Sequence, residues 1–283
     1  MSGTLYVVAT PIGNLDDVSI RVRDTLAAVD AVLAEDTRRT LQLLTHLGLR
    51  KPLRRFDAQV EHAGTSTIDH LAGEILAGAS FALVSDAGTP MVNDPGEALV
   101  RAVVARGGTV VAIPGPSAVL CALAASGLAG GGFRFVGFLP RSGGERAEAL
   151  ARIVDTPEPV VLFEAGNRVR DTIVELAARM PDRPAAVARE LTKAHEQMYR
   201  GKLGELAGSL DEALLGEVTI VLGAAAERDA ATVDDAAIDA RIDAELAAGR
   251  RAKEAADVVA AWSGRPRREI YARTVSRKAP RRG

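Results

Sequence analysis

The sequence is poor in cysteine and in long apolar runs. A single cysteine, Cys121, among 283 residues excludes an internal disulfide. No run of about 18 apolar residues occurs, and no charged-then-apolar leader follows Met1, so we expect neither a membrane span nor a signal peptide. These absences predict a cytoplasmic protein.

Histidine and aromatic residues are also scarce. The histidines, His46, His62, His70 and His195, lack metal-ligand spacing with Cys121 or with one another, so no structural metal is predicted. Phe, Trp and Tyr make up 4% of the chain, which predicts only a minor contribution from stacking on nucleic-acid bases.

Two common nucleotide-binding signatures are missing. The chain contains no G-x-x-x-x-G-K-[ST] motif, and no G-x-G-x-x-G follows an apolar, strand-like run. Their absence argues against NTP hydrolysis and against NAD chemistry.

Charge is distributed unevenly along the chain. Residues 241–283 contain 12 Lys+Arg and 5 Asp+Glu, a net charge near +7, whereas the preceding residues contain 23 and 32, near −9. A basic end on an acidic body favours a polyanionic partner such as nucleic acid, with a merely solubilising tail as the alternative.

The first 225 residues alternate strand-like and helical patterns, which predicts an α/β protein. The strand-like runs lie at 5–9, 31–35, 81–85, 109–113, 133–139, 159–165, 184–191, 196–201 and 217–223. The later runs are spaced closely enough for antiparallel pairing. The Pro-Gly-Pro segment at 114–116 is the predicted hinge between two α/β domains, residues 1–115 and 116–228.

A charged helical module is predicted over residues 229–283. Helical patterns cover residues 236–249, 252–262 and 267–275, with a Gly-Arg-Pro turn before the last of them. The arrangement is typical of a helix-turn-helix, and the alternative is a helix pair that serves packing or dimerisation.

The segment ALVSDAGTPMVNDPG, residues 82–96, has the composition of a ligand-binding loop at a strand end. Small residues leave its backbone accessible, and several polar side chains lie within a few positions. Similar loops follow two other strands, ATPIGN at 9–14 and IPGPSA at 113–118, so the three could converge on one cleft. The alternative for each loop is a simple turn.

Eight segments in order resemble the tetrapyrrole methylase superfamily. They are VATPIGNLDD, AVLAEDTRRT, ALVSDAGTPMVNDPG, IPGPSAVLCALAASGL, GFLPR, LFEAGNRV, ARELTKAHEQMYRG and GEVTIVLG. The resemblance is closest to members that methylate the ribose 2′-oxygen of a cytidine in small-subunit ribosomal RNA. It implies a two-domain tetrapyrrole methylase-like fold with S-adenosylmethionine in the interdomain cleft, a homodimer, and a C-terminal module that binds RNA.

The resemblance also implies roles for individual residues. The expected cofactor positions are Ser85, Asp86, Ala87, Gly88, Met91, Val92, Ser117, Ala118, Phe163, Leu191, Glu217, Thr219 and Ile220. The expected substrate side of the cleft includes Asn14, Thr37, Arg38 and Lys193, although a solvated helix start is the alternative for Arg38 and its neighbour Arg39. The candidates for RNA phosphate contacts are Arg250, Arg251, Lys253, Arg265, Arg267, Arg268 and Arg273.

Methylation of a ribose hydroxyl requires positioning of a poor nucleophile, and a nearby base could accelerate it by roughly 10²- to 10⁴-fold. The acidic candidates for that base are Glu35, Asp36 and Asp86, and Glu190 with Lys193 forms another candidate pair. A mechanism without a dedicated base is the alternative.

The chain departs from the family pattern in two segments. Residues 164–168 read Glu-Ala-Gly-Asn-Arg where the family usually has Glu-Ser-Pro-His-Arg, and residues 54–64 lack a His-Glu-His-Asn-Glu stretch. Two other functions stay open: methylation of tetrapyrrole carbon atoms, as in uroporphyrinogen or precorrin synthesis, and a non-catalytic role in RNA binding or ribosome assembly. The basic helical end argues against the first, and the altered Gly166-Asn167 segment motivates the second.

Overall fold

The computed structural model describes residues 3–62, 65–211, 214, 216–225 and 233–278. The chain divides into two compact units: residues 1–150 with 158–224 form the larger, and residues 151–157 with 225–283 the smaller. None of the helices in the described ranges has the length and apolarity that a membrane crossing requires.

Two five-stranded sheets form the centre of the larger unit. The first contains β1 (Thr4–Val8), β2 (Ala31–Ala34), β3 (Leu53–Arg55), β4 (Phe81–Val84) and β5 (Thr109–Ile113), all parallel, in the order β3-β2-β4-β1-β5. The second contains β6 (Arg134–Phe138), β7 (Val160–Ala165), β8 (Pro184–Arg189), β9 (Gln197–Lys202) and β10 (Glu217–Leu222), in the order β6-β7-β10-β8-β9. In the second sheet β6 and β7 are parallel and the other pairs are antiparallel.

Helices connect and cover these strands. In the larger unit they are α1 (Ile20–Ala28), α2 (Thr37–His46), α3 (Ala58–His62), α4 (Thr65–Leu76), α5 (Glu97–Ala105), α6 (Ala118–Ser126), α8 (Val169–Ala177) and α9 (Leu203–Ser209). The residues of α7 (Gly143–Val154) are divided between the two units after Leu150. The smaller unit contains α10 (Asp235–Ala247), α11 (Ala252–Ser263) and α12 (Arg267–Lys278).

The central strands β2 and β4 of the first sheet are buried on both faces, which explains their nearly continuous apolar runs. On one face, Leu33 and Leu83 pack with Leu99 and Val103 of α5. On the other, the apolar stripes of α1 and α2 pack against Val32, Ala34 and Val84. Because the five strands are parallel, the loops that follow β1, β2, β4 and β5 lie at the same edge of the sheet.

The second sheet packs against that edge through a continuous apolar cluster. Ile12, from the loop after β1, and Val119 of α6 contact residues of β7, β8 and β10 in this cluster. The two sheets therefore face each other across the strand-end loops of the first.

The predicted fold class is confirmed. Each of the nine strand-like runs contains a strand, and the predicted antiparallel pairing is found in the second sheet. Strand β3 was not predicted, because Leu53–Arg55 is short and carries two exposed arginines. Helices α10, α11 and α12 lie where the pattern of the C-terminal module predicted them.

Candidate active site

A cleft of about 660 Å³ lies between the two sheets of the larger unit. Its walls come from the ends of β2 and β4, the start of α6, strands β6, β7 and β10, and the segment after β8. Cavities of this size bind cofactor-sized ligands, and here the wall combines apolar side chains with a few converging polar groups.

The loop after β4 is fixed to the loop after β1. Thr10 N–H donates to the Gly88 carbonyl at 2.8 Å, and Gly88 N–H donates back to the Thr10 carbonyl at 3.0 Å. Gly88 has φ +83°, a conformation in which a side chain would be strained. A Cβ there would lie 3.4 Å from the Ile12 side chain, an ordinary van der Waals distance, so the backbone conformation and not the available space requires glycine.

The segment from Met91 to Gly96 continues this wall in a strained conformation. Met91 and Asn93 have φ near +68° and +69°, which is uncommon for residues other than glycine. The segment is fixed at its end by Glu61, whose carboxylate accepts the N–H groups of Gly96 at 3.1 Å and Ala98 at 2.8 Å. Strain that is held in place in this way is typical of ligand-binding loops.

A second strained segment lines the opposite wall. Glu190 and Thr192 have φ of +51° and +66°. Lys193 Nζ contacts Glu190 Oε1 at 3.0 Å and Glu217 Oε2 at 3.9 Å. The Lys193 ammonium holds the pKa of Glu190 below its usual range, so this carboxylate stays ionised.

Several carboxylates lie close together in the part of the cleft wall that follows the ends of β2 and β4. Burial, reinforced by the charge of Glu35, raises the pKa of Asp94 from 3.8 to about 6. Burial and the nearby Asp86 charge also raise the pKa of Glu35 above its usual range. Arg39 faces this cluster, with Nε 3.6 Å from Asp86 Oδ2. Because the carboxylates outnumber nearby cations, this wall favours a positively charged ligand group.

Replacing Asp94 with asparagine is expected to stabilise the protein at pH 7. The folded chain holds the Asp94 proton more tightly than the unfolded chain, so stability is lost as pH rises from 3.8 through about 6. Removing the charge should recover about 1 to 2 kcal/mol at pH 7, after discounting for partial solvent exposure, and nothing below about pH 4. Urea unfolding across this pH range measures the difference between the two proteins.

Asp57→Asn supplies a control of opposite sign. A hydrogen bond from Val60 N–H, with help from Arg55, lowers the pKa of Asp57, so its loss should destabilise the protein at neutral pH. A gain from both substitutions, or from neither, would contradict the assignment for Asp94.

A smaller hollow of about 300 Å³ adjoins the cleft. The two share Ile12, Arg39, Asp86, Ala87, Lys193 and Glu217. The remaining wall comes from the loop after β1, from Ser85 and from one side of α2, including the buried Thr40 and the exposed Gln42. Arg39 and Lys193 place two cations at the boundary between cleft and hollow.

Most of the predicted cofactor positions line the cleft. They are Asp86, Ala87, Gly88, Val92, Ser117, Ala118, Phe163, Leu191, Glu217 and Thr219. Three lie elsewhere. Ser85 is buried beneath the loop and lines the hollow, with its hydroxyl 3.3 Å from the Gly88 carbonyl. Ile220 points into the core because successive strand residues alternate faces, and Met91 is exposed and lines neither cavity.

Only some of the predicted general-base and substrate-binding residues line the cleft or the hollow. Glu35 lines the cleft and Asp86 lines both cavities, whereas Asp36 lines neither. The Asp36 carboxylate caps α2 and binds the Arg38 guanidinium, with Oδ2 2.8 Å from Nη2, which holds its pKa well below the usual range. Asn14, Thr37 and Arg38 also lie outside both cavities, and Lys193 lies in both.

Several lining residues were not predicted. Arg39 occupies the position expected of Arg38, because one step along a helix turns the side chain by about 100°. Asp94 also lines the cleft. It belongs to the predicted ligand-binding loop at residues 82–96, and its position next to the polar Asn93 in that loop could have indicated it. Phe138, in GFLPR, contacts Phe163 with ring centroids 5.4 Å apart. Gly166 lines the cleft at the position where the resemblance leads us to expect proline, and a Cβ there would lie 2.1 Å from the Leu214 carbonyl oxygen.

The basic residues of the smaller unit are largely paired with its own acids. Arg250 contacts Glu245 at 2.6 Å, and Arg267 contacts Asp257. Arg265 and Arg273 contact Asp235 at 3.5 and 3.1 Å. By contrast, Arg251, Lys253 and Arg268 are exposed and make no ion pair with any residue that the structure describes.

An α/β unit whose parallel strand-end loops face a mixed sheet across one cleft belongs to the class of two-sheet ligand-binding enzymes. The chain belongs to the Tetrapyrrole (Corrin/Porphyrin) Methylases, whose family model matches residues 4–207. S-adenosylmethionine is the cofactor of this methyltransferase family. The family that the sequence motifs predicted is therefore confirmed.

Full-length relatives share about two fifths of the sequence. The chain is 40% identical over 273 residues to ribosomal RNA small subunit methyltransferase I of Xylella fastidiosa strain Temecula1, covering 95% of this chain and 98% of that protein. It is 37% identical over 273 residues to the protein of that name from Halalkalibacterium halodurans, covering 95% and 93%.

Solved structures at lower identity share the fold. Diphthine synthase superposes with a TM-score of 0.61 at 16% identity, covering 78% of this chain and 90% of that one. Uroporphyrin-III C-methyltransferase from Thermus thermophilus, complexed with S-adenosyl homocysteine, gives 0.53 at 21% identity, covering 77% and 96%.

Proposed function

We propose that this chain transfers a methyl group from S-adenosylmethionine to ribosomal RNA of the small subunit. The acceptor that we propose is the ribose 2′-oxygen of a cytidine. The likeness to ribosomal RNA small subunit methyltransferases over 95% of the chain supports the RNA substrate. The observation that carries the proposal in the structure is the pairing of a cofactor-sized cleft with a smaller, adjoining hollow.

The larger cleft fits the cofactor. Apolar side chains such as Phe163 and Leu191 suit an adenine ring, and the accessible backbone at Ala87 and Gly88 offers hydrogen-bonding groups. The chemistry that the cofactor supplies when bound is an electrophilic methyl group on a positively charged sulfur. Asp94 and Glu35 provide the negative potential that stabilises such a charge in a partly buried site.

The hollow fits a single nucleoside better than a tetrapyrrole. At about 300 Å³, it has less than half the volume of the cleft proposed for an adenosine joined to methionine. A four-ring macrocycle with acidic side chains would also meet the carboxylates at this boundary. Arg39 and Lys193, at the edge of the hollow, are placed to contact the phosphates that flank the nucleotide.

Of the acidic candidates, Glu35 has the properties of the general base. It follows β2 directly and lines the cleft beside Asp86, which also lines the hollow, so it lies at the junction of the two cavities. Its raised pKa makes its carboxylate a stronger proton acceptor. In the proposed step Glu35 accepts the proton of the 2′-hydroxyl while the oxygen–methyl bond forms and the methyl–sulfur bond of the cofactor breaks, which leaves the sulfur as a neutral thioether. Asp86, which accepts Asp36 N–H at 2.9 Å, fixes the turn that presents Glu35.

Transfer of radiolabelled methyl from S-adenosylmethionine tests the proposal. The acceptors are small subunits that lack the modification, naked small-subunit RNA, and a tetrapyrrole precursor. We expect label on a ribose 2′-oxygen of the RNA. Label on the tetrapyrrole alone would replace the proposal with carbon methylation, and bound cofactor with no label anywhere would favour a non-catalytic RNA-binding protein.

The proposal also covers the location of the protein in the cell and its oligomeric state. A cytoplasmic location follows from ribosomal RNA as substrate, and a homodimer is proposed from the family resemblance. Light scattering of the purified chain tests the homodimer independently of activity.

A further inference from the structure

A row of ion pairs joins α10 and α12 in the smaller unit. Asp235, Asp239 and Asp243 follow at four-residue spacing and therefore share one face of α10. Arg273 contacts Asp235 and Asp239, and Arg277 contacts Asp239 and Asp243. The two arginine side chains are only 25% and 30% exposed. These cations therefore hold the helices together and are not free to bind a polyanion.

The opposite side of α12 carries a different set of side chains. Arg268, Tyr271, Ala272 and Val275 are exposed and follow at spacings of three and four, so they form one stripe, the outer face of α12. Tyr271 is 43% exposed and Val275 is 46% exposed. Arg268 makes no ion pair within the described part of the chain, unlike the arginines of the inner face. Packing of the unit does not account for an aromatic ring, a branched aliphatic group and a free cation side by side.

We infer that the outer face of α12 binds a single-stranded segment of RNA, with an unpaired base stacked on Tyr271 and a neighbouring phosphate on Arg268. The inference rests on the proposed function, because that function requires an RNA partner. The charge of Arg268 complements a phosphate, and an exposed aromatic ring binds the face of an unstacked base. One ring suffices for this contact, although aromatic residues make up only 4% of the chain.

The same chemistry distinguishes single-stranded from double-stranded RNA. In a duplex the base faces are stacked on one another and inaccessible to a side chain, so Tyr271 has nothing to contact there. Arg268 would still meet phosphates. The contribution of Tyr271 is therefore specific to unpaired nucleotides, whereas that of Arg268 is shared by both forms of RNA.

Binding of the full chain to a short single-stranded oligoribonucleotide of mixed sequence tests the inference, with a duplex of the same length as the comparison. We expect Tyr271→Ala to weaken single-strand binding by roughly 5- to 100-fold and duplex binding little, whereas Tyr271→Phe retains the ring and binds as the wild type. Arg268→Gln should reduce the slope of log affinity against log salt by about 0.7 for the single strand. Arg101→Gln, at an exposed arginine of α5, is the matched control and should change neither.

Equal affinity of the alanine and phenylalanine variants would overturn the stacking contact, as would an equal loss for duplex and single strand. No binding of either RNA by the wild-type chain would also overturn it. Methyl transfer to subunit RNA is measured separately, so a chain that binds the oligonucleotide through Tyr271 but transfers no methyl group would contradict only the proposed function.

Discussion

Replacing Glu35 with glutamine is expected to lower kcat for methylation of small-subunit RNA by roughly 10²- to 10⁴-fold. Glutamine has the same shape but cannot accept the proton of the attacking hydroxyl. Affinity for S-adenosylmethionine should fall far less, because the rest of the cleft wall is unchanged. Single-turnover methyl transfer, with cofactor affinity measured separately, distinguishes these two effects.

The neighbouring residue supplies a matched control. Asp36→Asn removes a carboxylate one position further along, but that carboxylate lies outside the cleft and binds Arg38. Asparagine caps a helix about as well as aspartate, so α2 should keep its start. We therefore expect kcat of this variant to stay close to that of the wild type. A similar loss in both variants would indicate disruption of the loop after β2 and would remove Glu35 from the role of base.

The pH dependence separates a base from a structural carboxylate. Because burial raises the pKa of Glu35 above its ordinary value of 4.5, the acid limb of the wild-type rate profile should lie above that value. The contribution of Glu35 to this limb should disappear in Glu35→Gln, and only the titration of Asp94, with its pKa of about 6, should remain. The same substitution removes a partly buried charge, so the variant should be at least as stable as the wild type at pH 7, and unfolding cannot explain its low activity.

The pattern of strands and helices was predictable because it depends on local periodicity. The runs at 109–113 and 217–223 show apolar and β-branched residues over the length of a typical strand, and both contain strands. Small and polar residues after β4 likewise predicted a ligand loop, since few other roles require glycine, aspartate and exposed backbone together at a strand end.

The orientation of individual side chains was less accessible to sequence reasoning. Whether Arg38 or Arg39 faces the cleft depends on the rotation of α2, which the capping contact between Asp36 and Arg38 sets. The raised pKa of Asp94 depends on burial and on Glu35, which lies 59 positions earlier in the chain. Such contacts between distant segments leave no local periodicity.

The structure explains part of the difference between residues 164–168 and the expected family pattern. The backbone of Gly166 lies against the Leu214 carbonyl, where a Cβ would approach to 2.1 Å, so this chain cannot accept the proline expected there from the resemblance without a shift of that segment. Glu164 and Arg168, which match the family, are joined by an ion pair with Nε 3.3 Å from Oε1. The ion pair between the two matching positions supports this segment, and Glu164 lines the cleft together with the altered residues 165–167.

Glu164→Ala is expected to lower the free energy of unfolding by about 3 to 5 kcal/mol, because it leaves charges buried without their partner. The Glu164 side chain is fully buried, and Oε2 accepts a hydrogen bond from the Thr172 hydroxyl at 2.7 Å. Arg146, 9% exposed, lies 3.8 Å from Oε2, and Arg168 contacts Oε1. Urea unfolding monitored by circular dichroism measures the change.

A second carboxylate on the same arginine is the control for this prediction. Glu175 contacts Arg146 Nε at 3.1 Å but is 41% exposed, so Glu175→Ala should cost no more than about 1 kcal/mol. Raising the salt concentration should reduce the loss of unfolding free energy caused by Glu175→Ala. It should not change the loss caused by Glu164→Ala, because salt screens buried ion pairs poorly. Equal losses at the two positions would contradict the distinction between a buried and a surface contact.

Glu164→Ala should also lower the affinity of the cleft for the cofactor, because Glu164 is followed directly by the lining residues Ala165, Gly166 and Asn167. Glu164 Oε1 accepts the N–H of Ala165 at 3.0 Å, and Arg168 donates to the carbonyls of Leu139 and Pro140, each at 3.1 Å. Glu164→Gln, which keeps the shape and the acceptor for Thr172, should retain more cofactor affinity than Glu164→Ala at equal folded fraction. If both folded variants bind the cofactor as the wild type does, this network supports the fold alone and does not position the cleft.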